Sequence, residues 1–212
     1  MIQGLAQVLL REKDVKPSGK ILENIVDEIA GSIHRVPITL HPLGFVHFDL
    51  TNLVDFDDDS FARFHIWDPS LAPPDEGGSI HDHTWELNSL VLKGNLRNRN
   101  YRPLPDKDGQ FVATRVIYGH RNSFIPAGNY SLELVSDQTL REMDTYSIPS
   151  RLVHESTLLS SVAVTFVVGT PDEMAKTRGP LLLNSHTQYR SGTSHRKRLS
   201  DRHGITLLQE IV

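Results

Sequence analysis

A succession of short β-rich runs, separated by turn signals, constrains the fold of this chain more than any other feature of its sequence. From about residue 45 these runs follow one another without an intervening amphipathic helix, as in FVHFDL, FARFHIW, LNSLVLKG, FVATRVIY and SSVAVTFVV. Turn signals such as Gly94-Asn95 and Asp108-Gly109 lie between them. Many short strands at regular spacing are typical of an antiparallel β-barrel or β-sandwich. We therefore expect an all-β domain.

Helical periodicity is found near the N-terminus. In SGKILENIVDEIAGS the apolar residues recur at helical spacing, with Ser18 as N-cap and Gly31 as stop signal. Residues 3–11 predict a shorter helix before it. The sequence thus predicts an N-terminal helical segment of the same domain over 1–40, a barrel over 41–175, and a C-terminal extension over 176–212. In that extension, ITLLQEIV is compatible with either a final strand or a final helix.

The composition excludes several classes of protein. The 212 residues include no cysteine, so disulfides, cysteine-based zinc sites and a cysteine nucleophile are ruled out. The formal net charge of −4 does not suggest a nucleic-acid partner. No apolar run approaches the roughly 18 residues of a membrane span, and the first residues lack the positive cluster of a signal peptide. We expect a cytoplasmic protein with neither a membrane nor a nucleic acid as partner.

Two histidines in the stretch GGSIHDHTWELNSLVLKGNL indicate a functional site. His81 and His83 are two residues apart, and side chains at that spacing on a strand project from the same face. On a helix the same spacing would separate them by roughly 200°. A third histidine, His154 in TYSIPSRLVHEST, follows Pro149 by five residues, and a turn at that proline would bring it inward. The three histidines therefore predict a site for one divalent metal ion.

The same residues carry a resemblance to the cupins. His81, His83 and Gly94 match the first cupin motif, and Pro149 and His154 match the second, with Arg151 where that motif has glycine. The segment GSIHDHT, followed by KGNLRN, most resembles the corresponding motif of the cysteine dioxygenase (thiol dioxygenase) family. The resemblance implies a jelly-roll (double-stranded β-helix) barrel with the N-terminal helices packed outside. It also implies iron(II), held by three histidines without a glutamate, and oxidation of a small molecule by dioxygen.

The chain also departs from these families. The cupin glutamate would fall on Leu87 or Asn88, and Glu86 stands one residue away. We expect that Glu86 is not a metal ligand; the open alternatives are a fourth ligand or a partner to a ligand histidine. The carboxylate-binding arginine of the thiol dioxygenases would fall near His47, and their catalytic tyrosine and crosslinked cysteine have no counterpart. Cysteine itself is therefore not the expected substrate.

A basic strand supplies further candidates. Arg97, Arg99 and Tyr101 share one strand face, which either lines the barrel and binds an anionic substrate or is a solvated outer face. Glu86 and Tyr101 are the catalytic candidates. The candidates for substrate binding are Arg97, Arg99, His47, Arg63 and Asn88. The basic run that includes Arg190, His195, Arg196, Lys197 and Arg198 is interpreted as a solvated surface, a lid or a subunit contact, the last in a homodimer.

The function that these features favour is a non-haem iron(II) oxygenase acting on an amino-acid derivative or a thiol. Imidazole suits zinc, copper and nickel as well as iron, so the assignment of iron rests on the resemblance. Two alternatives stay open. One is a metal-dependent isomerase or lyase whose ion is only a Lewis acid, and the other is a cupin that binds a ligand without turnover.

Overall fold

The protein is described by a computed structural model that covers residues 1–12, 20–41, 43–71, 80–117, 123–185 and 197–212. The helices are α1 (Ile2–Arg11), α2 (Ile21–Gly31), the one-turn α3 (Glu173–Lys176) and α4 (Asp201–Ile211). The strands are β1 (Ile38–His41), β2 (Phe45–Asp49), β3 (Phe61–Trp67), β4 (Ile80–His81), β5 (Trp85–Lys93), β6 (Leu96–Pro105), β7 (Phe111–Ile117), β8 (Ser123–Leu140), β9 (Thr145–Ile148), β10 (Val153–Leu158), β11 (Ala163–Pro171) and β12 (Leu181–Asn184).

The strands form two antiparallel sheets. Sheet A has the order β1-β2-β3-β11-β5-β9, and sheet B has the order β10-β4-β12-β7-β8-β6, with its first and last strands also paired. The long strand β8 makes this closure possible, because its C-terminal half pairs with β6 and its N-terminal half with β7. The expected all-β fold with a closed strand barrel is confirmed.

The helices cover the outer face of sheet A. The apolar sides of α1, α2 and α4, which include Ile2, Ile25 and Leu208, belong to one buried cluster with Phe64 and Phe166 of the sheet. Helix α4 approaches closely at Gly204, where an added Cβ would lie 2.2 Å from Cδ1 of Ile38. The N-terminal helices therefore pack outside the barrel, because this face of the sheet is apolar and needs a cover.

Alternation along the strands gives sheet A a second, inner face. In β2 and β3, Phe48 and Phe64 face the helices, whereas Phe45 and Trp67 project to the other side. There they join Leu96 and other residues of sheet B in a separate cluster. The interior between the two sheets is therefore partly apolar, and residues on the inner face of either sheet can contribute to a site there.

The C-terminal part of the chain corrects the expected domain boundary at residue 176. Strand β12 pairs with both β4 and β7, so it is a strand of the barrel and not part of an extension. Farther on, the Leu40 amide donates to the Lys197 carbonyl at 2.9 Å, and ITLLQEIV lies in α4. The proposed N-cap Ser18 and the basic residues Arg190, His195 and Arg196 lie outside the described residues. Among the residues that the structure describes, no helix is long and apolar enough to cross a membrane.

Candidate metal centre

Three histidines converge between the sheets. His81, the last residue of β4, is the direct register partner of His154 in β10. His83 follows two residues later, and its Nε2 lies 2.9 Å from Nε2 of His154. One potential ligand nitrogen from each of the three lies within 4.8 Å of the others, and no further such group of acidic or histidine side chains occurs in the described part of the chain. The structure thus brings together the three residues that the sequence identifies as metal ligands.

The segment that carries His81 and His83 is a strand only at its beginning. Strand β4 ends at His81, and Asp82 between the two histidines is buried. The Asp82 carboxylate accepts a 2.6 Å hydrogen bond from the Leu181 amide, while the Asp82 amide donates to the Leu181 carbonyl at 3.0 Å. Burial raises the pKa of Asp82, and the Leu181 amide and Arg151 act against that rise. Asp82 therefore anchors the histidine segment to β12.

The second histidine segment is connected to the first through Arg151. The Arg151 amide donates to the carbonyl of His83 at 2.9 Å, and its guanidinium donates to the carbonyl of Gly179 at 2.7 Å. Pro149 forms the expected turn, in which its carbonyl accepts from the Leu152 amide at 3.2 Å. The chain then enters β10 and places His154 opposite His81.

Asn98 is a residue of the site that sequence reasoning missed. Its Oδ1 lies 3.1 Å from Nδ1 of His154, and its side chain is buried. The available signal was strand alternation, which places Asn98 and Asn100 on the face of β6 opposite to Arg97 and Arg99. The sequence predicts a functional role for the charged face, whereas the amide face contacts the histidine.

Burial and nearby charges keep His83 and His154 neutral. The pKa of His83 lies well below its ordinary value of 6.5, mainly because the ring is removed from water. Repulsion from His81, His154 and Arg63 lowers it further. Burial and then His81 lower the pKa of His154 in the same direction. Neutral imidazole is the form that binds a metal, because the ligand nitrogen must carry a lone pair.

Aromatic residues and one arginine of sheet A form a wall beside the histidines. The ring of Trp85 contacts that of His83 in a tilted arrangement with centroids 4.2 Å apart, and Phe61 contacts Trp85 edge-on at 4.9 Å. The guanidinium of Arg63 lies 4.0 Å from the ring centre of Phe61 and 5.1 Å from that of Trp85. Phe61, Arg63 and Trp85 are only partly buried, so this wall is itself partly exposed to solvent.

His47 lies on the same inner face, in a more enclosed position. Its ring contacts His65 edge-on with centroids 5.5 Å apart, and Phe45 lies 4.4 Å from His65. His65 follows Arg63 by two residues on β3, so it has the same orientation. His47 is buried, which places it deeper in the interior than Arg63.

The candidates Arg97, Arg99 and Tyr101 require a correction. They lie on the face of β6 opposite to Asn98, which contacts His154, and therefore point away from the histidines. Arg97 forms a two-point ion pair with Asp137, and Arg99 pairs with Glu155 at 2.8 Å.

Tyr101 donates to the same carboxylate of Glu155. Burial and then this hydrogen bond raise the pKa of Tyr101 to about 12. These polar groups are thus partners of one another on the far side of the strand, and none of them faces the site.

Glu86 and Asn88 lie on the outer face of β5. Trp85 and Leu87 project inward, so the alternate residues Glu86 and Asn88 point toward the side that the helices cover. Asn88 accepts a hydrogen bond from Ser147 at 2.5 Å. Asn88 is therefore corrected as a substrate-binding candidate, and Glu86 is placed away from the three histidines.

Comparison with known proteins gives structural likeness only. No family model and no curated protein sequence matches the chain. A variant of oxalate decarboxylase from Bacillus subtilis matches 69% of this chain at 14% identity and a TM-score of 0.41, and the match spans only 30% of that protein. An RmlC-like cupin from Shewanella frigidimarina matches 66% of this chain and 87% of its own at 13% identity and a TM-score of 0.37.

A third structure, FeII HppE, matches 59% of this chain and 50% of its own at 10% identity and a TM-score of 0.34. Identities and scores at this level do not transfer a function to this chain. The fold is a pair of antiparallel sheets, one closed into a barrel, and the three histidines between them form a candidate metal site. The resemblance to the cysteine dioxygenase family continues to rest on the motifs around His81 and His83.

Proposed function

We propose that this protein is a metal-dependent cupin oxygenase that holds iron(II) on His81, His83 and His154 and oxidises a small molecule with dioxygen. The observation that carries the proposal is the convergence of three histidine nitrogens within 4.8 Å of one another, inside a cupin-type barrel. His154 is buried and His81 and His83 are partly buried, and a shared ligand would offset the cost of removing these imidazoles from water.

The donor set fits a divalent transition metal. The ligands are neutral nitrogen donors, and Asn98 lies at the Nδ1 of His154, which leaves Nε2 directed at the other histidines. Three imidazoles on one side of an octahedral ion leave up to three positions for other ligands. Iron(II) bound there would supply coordination sites for substrate and dioxygen side by side, together with the redox chemistry. The choice of iron over zinc, copper or nickel is supported by the motif resemblance, because imidazole suits all four.

The charge of the site favours an anionic substrate. Three neutral imidazoles do not neutralise a divalent ion, and the guanidinium of Arg63 adds a further positive charge close enough to lower the pKa of His83. An arginine can hold a carboxylate through two parallel hydrogen bonds. Phe61 and Trp85 would shield the apolar part of the substrate from water. We therefore propose a small acid with a metal-coordinating heteroatom, such as an amino-acid derivative or a thiol carrying a carboxylate.

Oxygen uptake tests this function. The purified protein is loaded anaerobically with iron(II), mixed with a panel of thiols and amino-acid derivatives, and exposed to dioxygen. We expect stoichiometric oxygen consumption with at least one acidic compound, and none with the His154→Ala variant. Turnover without oxygen in the presence of zinc, nickel or manganese would instead support the isomerase or lyase class. Tight binding of a compound that is never converted would support a ligand-binding cupin.

A further inference from the structure

We propose that Asn98 is a positioning residue that fixes the tautomer of His154, so that the lone pair of Nε2 faces the other two histidines. The 3.1 Å contact between Asn98 Oδ1 and His154 Nδ1 carries the proposal. An amide oxygen can only accept, so the hydrogen of the neutral ring must reside on Nδ1. The inference deepens the proposed function, because it rests on His154 as a metal ligand, although the tautomer itself exists without metal.

Neighbouring side chains support the orientation in which Oδ1 of Asn98 faces His154. The Nδ2 of Asn98 donates to Oδ1 of Asn100 at 3.1 Å, and Nδ2 of Asn100 in turn donates to Oγ of Ser136 at 2.9 Å. The hydroxyl of Ser156 donates to Oδ1 of Asn98 at 3.3 Å. Every hydrogen bond in this chain has one donor and one acceptor, so the orientation is consistent throughout.

Reversing the Asn98 amide alone would disrupt the chain of hydrogen bonds; a joint reversal of Asn98 and Asn100 would keep it only if Ser136 donated and Ser156 accepted. With Asn98 alone reversed, the two Oδ1 atoms of Asn98 and Asn100 would face each other, and Nδ2 of Asn98 would require Nδ1 of His154 to accept. Asn98 is only 2% exposed, so water cannot easily replace a lost partner. A buried polar group without a partner costs about 1–3 kcal/mol, and this cost opposes reversal of Asn98 by itself.

The register between β6 and β10 places Asn98 next to His154. Strands β6 and β10 are antiparallel neighbours in which Asn98 pairs with Ser156 and Asn100 pairs with His154. Asn98 is therefore the diagonal neighbour of His154 on the same face, a position within reach of a histidine ring. The ladder of backbone hydrogen bonds holds both residues, so the contact does not depend on a mobile loop.

The tautomer prepares His154 to bind a metal. With the hydrogen on Nδ1, the 2.9 Å contact between the two Nε2 atoms requires that Nε2 of His83 donates and Nε2 of His154 accepts. His154 then needs no rearrangement when a metal replaces that hydrogen. Without Asn98, His154 can also adopt the tautomer with Nε2–H, which must be lost before the nitrogen can coordinate.

Two variants separate the acceptor role of Asn98 from its bulk. Asn98→Asp keeps an oxygen acceptor for Nδ1 of His154, whereas Asn98→Leu has a similar size and no acceptor. Asn88→Leu is the matched control, because Asn88 is a comparably buried asparagine on the outer face of β5. The first measurement is the tautomer of His154 in the metal-free protein, read from ¹⁵N–¹H correlation spectra of the imidazole nitrogens.

We expect the Nδ1–H tautomer in the unsubstituted protein, in Asn98→Asp and in Asn88→Leu, and a mixture in Asn98→Leu. A predominant Nε2–H tautomer in the unsubstituted protein would overturn the proposal. The second measurement is the affinity for cobalt(II), a spectroscopic stand-in for iron(II). Loss of a partner to a ligand histidine weakens metal binding by about 10–100-fold, so Asn98→Leu should show that loss and Asn98→Asp should not.

The two measurements distinguish the possible failures. If the tautomer is as expected but the unsubstituted protein binds no cobalt(II), then the proposed function fails and the positioning role of Asn98 toward His154 stands. If cobalt(II) binds equally well to all variants, Asn98 does not prepare His154 for the metal, and the inference is wrong while the metal site remains.

Discussion

The guanidinium of Arg151 lies 3.3 Å from the carboxylate of Asp82, and this pair connects the two segments that carry the histidines. Arg151 has a backbone φ of 68°, in the left-handed region that favours glycine, and it stands where the cupin motif has glycine. The side chain thus makes contacts that a glycine could not make, at the cost of a strained backbone of about 1–2 kcal/mol.

Replacing Arg151 tests the balance between these two effects. Arg151→Gly removes the strain but leaves the buried Asp82 without its guanidinium, a loss of about 1.5–3 kcal/mol for a hydrogen bond to a charged group. We expect the free energy of unfolding of metal-free protein to fall slightly in Arg151→Gly and by about 1 kcal/mol more in Arg151→Ala, which keeps the strain. Urea unfolding measures both. An Arg151→Gly variant more stable than the parent would show that the guanidinium contributes less than the backbone strain costs.

Single substitutions of the three histidines test the metal site. Each of His81→Ala, His83→Ala and His154→Ala removes one of three ligand nitrogens, so we expect about one divalent ion per chain in the parent and near-complete loss in each variant. Elemental analysis after purification without chelators measures the content. His203→Ala is the control, since His203 lies on the exposed side of α4. Unchanged metal in all three variants would refute the assignment.

Glu86 is expected to be dispensable for the metal. It points to the outer face of β5, whereas the histidines lie between the sheets, so Glu86→Gln should bind the same metal with unchanged affinity. Competition with a coloured chelator measures the affinity. A loss of tenfold or more would mean that Glu86 reaches the ion or one of its ligands.

The sequence predicted the three histidines because their spacing depends on local strand geometry and on a recognisable motif. It could not predict which face of β6 is the inner one. Both faces of that strand are polar, with Arg97 and Arg99 on one side and Asn98 and Asn100 on the other. Hydrophobic alternation therefore does not show which face of β6 points into the interior. Only the pairing of β6 with β10 and β8 determines this.

Strand β5 presents the opposite difficulty. Residues Leu87–Leu92 are buried on both faces, because helices cover one side of sheet A and sheet B covers the other. Without a polar face, the sequence could not show that Asn88 points outward. Strand β12 has only four residues and follows the last long strand, so its place between β4 and β7 depends on contacts that are distant in sequence.

The metal-free protein should lose stability as the pH falls. The pKa values of His83 and His154 lie well below 6.5 in the folded state, mainly because of burial, whereas the unfolded chain titrates near 6.5. Below that pH the unfolded chain binds more protons, so this stability is complete above about pH 6.5 and is lost on acidification. Each histidine adds a slope of up to about 1.4 kcal/mol per pH unit.

Urea unfolding in the presence of a chelator, at several values between pH 7.5 and pH 5.5, measures this slope. The double variant His83→Gln/His154→Gln lacks both groups, so its free energy of unfolding should change less over the same range. An equally steep decline in the double variant would show that other groups cause the acid sensitivity.

Arg63 is expected to recognise the acidic group of the substrate. Arg63→Met keeps an apolar side chain against Phe61 and Trp85 but removes the guanidinium, and a lost hydrogen bond to a charged group costs about 1.5–3 kcal/mol. The KM for the acidic compound identified by oxygen uptake should therefore rise by roughly 10–100-fold, while metal content stays the same.

Arg97→Met is the matched control, because Arg97 pairs with Asp137 on the far face of β6. The uncharged amide of the same compound should bind equally weakly to the parent and to Arg63→Met. If instead the acid binds both proteins with the same KM, the anion is held elsewhere, with the buried His47 as the next residue to test.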